Sequence, residues 1–148
     1  RPDGRPDIPN QLIKLMPPTI LIVDDQELMI RVLQATLRPL GVKIGTAKSG
    51  AEAVRFLEES GVPGAMILDF SMPGQDGVET LRQIRSLPNG AAIPVLMLTA
   101  RDQTLIRKAA EGLHVHYFMT KPFSPTLLMQ TLREMLESTG QPKSPDAA

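Results

Sequence analysis

The sequence contains no cysteine, which excludes a disulfide scaffold, a thiolate metal site and a cysteine nucleophile. It also has no net charge, because 16 basic residues balance 16 acidic ones, and this argues against binding to nucleic acid or an anionic membrane through bulk charge. No apolar run approaches the ~20 residues needed to span a bilayer, and the opening residues RPDGRPDIPNQ lack the apolar segment of a signal peptide. These absences predict a cytoplasmic protein without direct contact to nucleic acid or membrane.

Proline is concentrated at both ends of the chain. Five of the 14 prolines fall in residues 1–18, and two fall in the last ten residues. Because proline lacks the N–H that regular structure needs, we expect residues 1–17 to be a flexible extension and residues 139–148 a flexible tail or linker. The 148-residue chain is 42% hydrophobic, so residues 18–138 can form one domain with a buried core.

Short apolar runs alternate with amphipathic stretches between these ends. The apolar or alternating runs predict strands at 19–23, 42–47, 65–68, 93–98 and 116–120. Helical spacing predicts one helix after each strand. The residues expected to face inward are Leu28, Val32, Ala35 and Thr36; Ala53, Val54 and Leu57; Val78, Leu81 and Ile84; Leu105, Ile106, Ala109 and Leu113; and Leu128, Leu132 and Met135.

Five such βα units predict an α/β protein with a parallel sheet covered by helices on both faces. The first, third and fourth strands are apolar throughout, so they are expected to be central, whereas the second and fifth carry polar residues and suit the edges. Right-handed crossovers then favour the strand order 2-1-3-4-5. This order is that of the flavodoxin-like doubly wound fold, with five strands and five helices.

Polar residues follow four of the predicted strands at the edge where such a sheet binds its ligands. Asp24 and Asp25 follow the first strand, Asp69 the third, Thr99 closes the fourth, and Lys121 follows the fifth. A single Asp after a strand is usually a helix N-cap, and Asp25 alone would be interpreted in that way. The convergence of all five at one edge instead indicates a functional site.

Three ionised carboxylates cannot lie close together unpaired without repulsion. Mg²⁺ resolves this repulsion and suits a site with few protein carboxylates and several waters. A bound Mg²⁺ would also hold a phosphoryl group, for which Lys121 offers an ammonium and Thr99 a hydroxyl donor. Asp69 is then the candidate nucleophile, because carboxylates form aspartyl phosphates.

Four motifs resemble those of the response regulator receiver domain of two-component signalling, in particular its chemotaxis regulators. They are LIVDD (21–25), ILDFSMPGQDG (67–77), LMLTA (96–100) and FMTKPF (118–123), and each accompanies the expected strand. The resemblance covers residues 19–137. It implies that Asp69 is the phosphoacceptor and that Mg²⁺ is bound by Asp25, Asp69 and the backbone carbonyl of Ser71. Asp24 would act on the metal largely through water.

The same resemblance implies which groups contact the phosphoryl group. Thr99, Lys121 and the backbone N–H of Ala100 would do so, and the Lys121–Pro122 peptide bond would be cis. The implied switch residues are Thr99 and Phe118. At the position of Phe118 the family more commonly has Tyr. The face that changes is expected to comprise the fourth helix, fifth strand and fifth helix.

The implied partners are a sensor histidine kinase or phosphotransfer protein, which donates phosphate from a phosphohistidine, and a downstream effector domain or protein. Pairing of two phosphorylated copies is a further expectation. The protein would be a signalling domain that promotes its own phosphorylation and dephosphorylation, not an enzyme. Two alternatives stay open: a phosphorylation-independent interaction module, and the receiver portion of a hybrid histidine kinase.

Other interpretations fit the residues less well. A haloacid-dehalogenase-like phosphatase would need an Asp where Ser71 stands, and flavin binding would need a phosphate-cradling loop where the anionic DDQEL stands. His114 and His116 could suggest a metal or phosphotransfer site, but we expect both to be surface residues at an edge strand.

Overall fold

The computed structural model describes residues 18–100 and 103–137, and the predicted flexible ends, residues 1–17 and 139–148, lie outside this range. The described residues contain five strands and five α-helices, with a short 3-10 helix after the first α-helix. The strands are β1 (Thr19–Val23), β2 (Lys43–Ala47), β3 (Ala65–Asp69), β4 (Val95–Thr99) and β5 (Tyr117–Thr120). The helices are α1 (Glu27–Leu37), α2 (Gly50–Ser60), α3 (Gly77–Arg85), α4 (Gln103–Ala109) and α5 (Pro125–Glu137), and the 3-10 helix is Arg38–Leu40.

The strands form one parallel sheet in the order β2-β1-β3-β4-β5, as predicted for the flavodoxin-like fold. Every residue of β3 and β4 is buried, whereas only one of the five residues of β2 is buried. This difference confirms that continuous apolar runs mark central strands and mixed runs mark edges.

Alternate residues of the strands build two cores, one on each face of the sheet. Helices α2, α3 and α4 cover one face, where Met66 and Met97 lie in the core. Helices α1 and α5 cover the other face, where Ile67 and Leu98 lie in the core. Helices α1 to α4 therefore connect successive strands across the faces of the sheet, and α5 packs on a face after the last strand.

The predicted inward face of α1 is wrong. Leu28 is 75% exposed and Val32 is 43% exposed, whereas Ile30, Leu33 and Leu37 are buried. The helix carries two apolar stripes, and the prediction chose the stripe that starts at Leu28. The buried stripe continues into Leu40 of the 3-10 helix, which also packs against the core, so it covers more of the sheet.

The predicted inward face of α4 is partly wrong. Leu105 is 76% exposed and Ala109 is exposed, whereas Ile106 and Ala110 are buried. Adjacent helical residues point about 100° apart, and in α4 Ile106 faces the sheet while Leu105 points away from it. Leu113 is buried as expected, but it lies beyond the end of the helix. The inward residues predicted for α3 and α5 are all buried.

None of the helices within residues 18–100 and 103–137 has the length and apolar content needed to cross a membrane.

Candidate functional site

The acidic residues of the site are placed by two central strands. Asp24 and Asp25 directly follow β1. Asp69 is the last residue of β3, whereas the prediction placed it just after the end of that strand. The backbone N–H of Asp24 donates to the carbonyl of Ala47 at 3.0 Å, so β2 fixes the start of the loop. Because β1 and β3 are paired, the three carboxylates emerge together at the carboxyl edge of the sheet.

The three carboxylates form the one group of acidic or histidine side chains in the described residues that could share a metal ion. One ligand oxygen from each of Asp24, Asp25 and Asp69 lies within 4.8 Å of the others. Asp24 Oδ1 accepts a hydrogen bond from the backbone N–H of Gln26 at 2.9 Å. Asp24 Oδ2 and Asp25 Oδ1 are buried and have no hydrogen-bond partner among the described residues. Buried, unpartnered anionic oxygens are costly, and a hard cation such as Mg²⁺ fits this donor set.

Lys121 supplies the positive charge of the site. Its Nζ donates to Asp69 Oδ1 at 2.6 Å, and the backbone N–H of Lys121 donates to the carbonyl of Thr99 at 2.8 Å. The side chain of Asp69 is 4% exposed and that of Lys121 is 20% exposed, so the ion pair is shielded from water. The Lys121–Pro122 bond is cis, as predicted.

Burial dominates the electrostatics of Asp24 and Asp69. Desolvation raises the pKa of Asp24 above its usual value of 3.8, and the nearby carboxylates of Asp69 and Asp25 raise it further. Desolvation also raises the pKa of Asp69, although the hydrogen bond and charge of Lys121 oppose it. Both shifts disfavour the charged carboxylates, chiefly through burial, and added positive charge at the site would relieve them.

The other predicted site residues lie along the same edge. Thr99 is fully buried at the end of β4, where it is in register with Thr120 of β5. Ala100 follows it and is exposed, as is Ser71, whose backbone N–H bonds to Asp69. The structure therefore groups Asp24, Asp25, Asp69 and Lys121 closely and places Ser71, Thr99 and Ala100 along the same edge of the sheet.

Phe118 lies below this edge, in the core. It is 8% exposed and is paired in register with Met97 of β4. Its neighbour Tyr117 is 40% exposed on the opposite face of the strand. The two aromatic side chains therefore point to opposite faces of the sheet. Phe118 points to the face that α2, α3 and α4 cover, beside Thr99.

Gly77 has a structural role that was not predicted from the sequence. A Cβ at this position would lie 2.7 Å from the carbonyl oxygen of Asp69 and 2.8 Å from the Cα of Phe70. The N–H of Gly77 donates to the carbonyl of Phe70 at 2.7 Å, and Asp76 caps α3 by accepting from the N–H of Glu79. The Asp-Gly pair at the start of an amphipathic helix was the available signal, since it marks a helix start where the backbone approaches closely.

Comparison with known proteins points to one family. Residues 20–133 match the sequence profile of the response regulator receiver domain. The chain is 35% identical over 132 residues to the response regulator MprA of a Mycobacterium species, covering 89% of this chain and 56% of that protein. It is 38% identical over 106 residues to the alkaline phosphatase synthesis transcriptional regulatory protein PhoP of Bacillus subtilis, covering 72% and 43%. The chain thus spans about half the length of these curated relatives.

A solved structure has a similar fold. The crystal structure of the receiver domain of a sensor histidine kinase from Pseudomonas aeruginosa is similar with a TM-score of 0.74 and 29% identity. The match covers 82% of this chain and 99% of that one, and that structure has a magnesium ion coordinated in its active-site cleft.

Proposed function

The chain belongs to the family of response regulator receiver domains, and from this premise we propose that Asp69 is its phosphoacceptor in two-component signalling. One observation carries the proposal: the surroundings of the Asp69 carboxylate. Asp24 and Asp25 lie beside it with oxygens that have no hydrogen-bond partner in the described part of the chain, and Lys121 binds its Oδ1 at 2.6 Å. This arrangement suits a buried carboxylate that receives a dianionic group.

The proposed reaction transfers a phosphoryl group from a phosphohistidine of a sensor histidine kinase or phosphotransfer protein. A carboxylate oxygen of Asp69 forms a bond to phosphorus while the phosphorus–nitrogen bond breaks. The electron pair of that bond returns to the imidazole nitrogen, which takes up a proton. Lys121 favours the ionised, nucleophilic form of Asp69 and then offsets the charge of the acyl phosphate.

Mg²⁺ is the proposed cofactor. Asp25, Asp69 and the backbone carbonyl of Ser71 would hold it, and Asp24 would act mainly through water. When bound, the ion supplies positive charge to the phosphoryl oxygens. The unpartnered oxygens of Asp24 and Asp25 support this assignment, as does the magnesium ion in the related receiver domain.

Thr99 and the backbone N–H of Ala100 are the proposed further contacts of the phosphoryl group. Phosphorylation adds negative charge and acceptor oxygens next to Thr99. We propose that Thr99 and Phe118 transmit this change to the face formed by α4, β5 and α5. A downstream effector domain or protein, or a second phosphorylated copy, would then bind that face.

The test is phosphorylation in vitro. The protein is incubated with acetyl phosphate and Mg²⁺, and the modified fraction is measured by intact-protein mass spectrometry beside Asp69→Asn. We expect modification of the wild type alone. Equal modification of the Asp69→Asn variant would place the nucleophile elsewhere.

The metal ligands are tested in the same preparation by calorimetric titration with Mg²⁺. Asp25→Ala should weaken binding strongly and Asp24→Ala less, because only Asp25 is a proposed direct ligand. Lys121→Ala should retain the metal, and Glu59→Gln, which removes one exposed acid on α2, is the control. Equal effects of Asp24→Ala and Asp25→Ala would overturn the assigned roles.

A further inference from the structure

Polar contacts connect α4 to β5 and end on the ring of Phe118. The side-chain amide of Gln103 donates from Nε2 to Thr120 Oγ1 at 2.7 Å. Its Oε1 accepts a hydrogen bond from Nη2 of Arg107 at 3.1 Å. The guanidinium carbon of Arg107 lies 4.6 Å from the centroid of the Phe118 ring. The side-chain amide of Gln103 thus links the Thr120 hydroxyl on β5 to the guanidinium of Arg107. That guanidinium in turn lies over the Phe118 ring.

The geometry suits a clamp on Phe118. The ring is buried against the core, whereas Arg107 is exposed, so its charge stays hydrated while its guanidinium lies over the ring. Gln103 uses both ends of its amide and fixes the orientation of the guanidinium. Phe118 cannot leave its buried position along this side without displacing Arg107.

The clamp also lies close to the phosphoacceptor. Thr120, which anchors Gln103, directly precedes Lys121, whose Nζ binds Asp69. Thr120 is also in register with Thr99. A shift of β5 at the site would therefore strain the contact of Gln103 with Thr120, and through it the position of Arg107.

We propose that Arg107 is a positioning residue that holds Phe118 in its buried position, with Gln103 as the tether of Arg107 to β5. This inference deepens the proposed function, on which it rests, because it assigns regulation of the switch to two side chains of α4. A cation–π contact at an exposed site changes an equilibrium by about two- to fivefold. Loss of the guanidinium should raise the population of displaced Phe118 by that factor.

The first experiment follows the ring itself. Phenylalanine is labelled with carbon-13 in the full chain, the Phe118 signals are assigned with Phe118→Leu, and their contacts with Met97 are measured by NMR. Arg107→Met should reduce these contacts, and Gln103→Ala should reduce them less. Arg107→Lys should restore part of them, since an ammonium can cover the ring but lacks the planar fork that also reaches Gln103.

Lys108→Met is the matched control, because it removes one positive charge from an exposed neighbouring position of α4. It should leave the Phe118 signals unchanged. Unchanged signals in Arg107→Met, or equal changes in Lys108→Met, would overturn the clamp. Circular dichroism of each variant verifies that the fold is retained.

A second readout separates this inference from the proposed function. Affinity for beryllofluoride with Mg²⁺ should fall about two- to fivefold in Arg107→Met, if the buried ring belongs to the state that binds the phosphoryl mimic. If the wild type does not bind beryllofluoride while the ring signals still respond to Arg107→Met, the phosphoacceptor proposal fails and the clamp stands. If binding is normal and the ring does not respond, the clamp fails alone.

Discussion

His116 is bound to Val95 of β4 through both its backbone and its ring. Its backbone N–H donates to the carbonyl of Val95 at 2.9 Å, and its Nδ1 accepts from the N–H of Val95 at 3.2 Å. The residue is 8% exposed, so the prediction that it lies at the surface is wrong, whereas His114 is exposed. Burial, followed by the charges of Arg85 and His114, lowers the pKa of His116 below its usual value of 6.5.

The lowered pKa of His116 predicts a loss of stability in mild acid. The folded state binds this proton less readily than the unfolded state, so the contribution of His116 is present above pH 6.5 and is lost as the pH falls through the folded pKa. The free energy of unfolding, measured with urea from pH 7.5 to 5, should therefore fall more in the wild type than in His116→Asn. Asparagine can keep an acceptor for Val95 without titrating.

His114→Asn serves as the control, because its side chain is exposed and it should retain the pH slope of the wild type. Parallel slopes in the wild type and His116→Asn would contradict this prediction. Asp24 and Asp69 have raised pKa values, so they stabilise the folded state as the pH falls, which is opposite to the effect of His116. Both histidine variants keep this contribution, so it does not affect the comparison.

At the scale of elements, α1 shows why an apolar pattern alone does not determine a helix face. One of its two apolar stripes, which starts at Leu28, faces solvent, and the other, which contains Leu33, packs on the sheet. Leu33 is fully buried against that sheet, whereas Leu28 is 75% exposed. The two leucines therefore have the same chemistry in opposite environments on one helix.

This contrast gives a matched pair of substitutions. Leu33→Ala should lower the free energy of unfolding by about 2–5 kcal/mol, because it removes buried methyl groups and leaves a cavity. Leu28→Ala should change it by less than about 0.5 kcal/mol. Urea denaturation of both variants measures the difference. Similar losses in the two would mean that the stripe starting at Leu28 also packs in the folded protein.

The strands and the acidic cluster could be predicted from sequence because they depend on local signals. Continuous apolar runs identify buried strands, and Asp24, Asp25 and Asp69 occur where those runs end. The burial of His116 and the exposure of Leu105 could not be predicted in this way, since each depends on which neighbour arrives from a distant segment. The clamp of Arg107 on Phe118 was missed for the same reason.

At the scale of the whole molecule, the end of the sheet opposite the acidic site is closed by Arg85. Its guanidinium donates to the carbonyls of Leu113, Gly90 and His114 at 2.8, 2.8 and 2.9 Å. These bonds join the end of α3 to the segments that lead into β4 and β5. Burial lowers the pKa of Arg85 to about 10, so the group stays charged at neutral pH.

Arg85→Met should therefore destabilise the fold by about 1.5–3 kcal/mol, because carbonyls that accept from a charged donor lose it. Arg82→Met, on the exposed side of the same helix, should cost less than about 0.5 kcal/mol. Thermal unfolding measures both. Mg²⁺ affinity of the folded Arg85→Met variant should be unchanged, and a large loss would show that the two ends of the sheet are not independent.

The strand order has a consequence for how the chain leaves the ribosome. In the order β2-β1-β3-β4-β5, each newly synthesised strand pairs at the border of those already made, and none must insert between two earlier strands. Folding can therefore follow translation from the amino terminus. In that sequence Asp24, Asp25 and Asp69 meet as soon as β3 docks, whereas Lys121 arrives only after the last strand. The nascent domain thus lacks the Lys121 ammonium beside Asp69 until β5 and the residue after it have been synthesised.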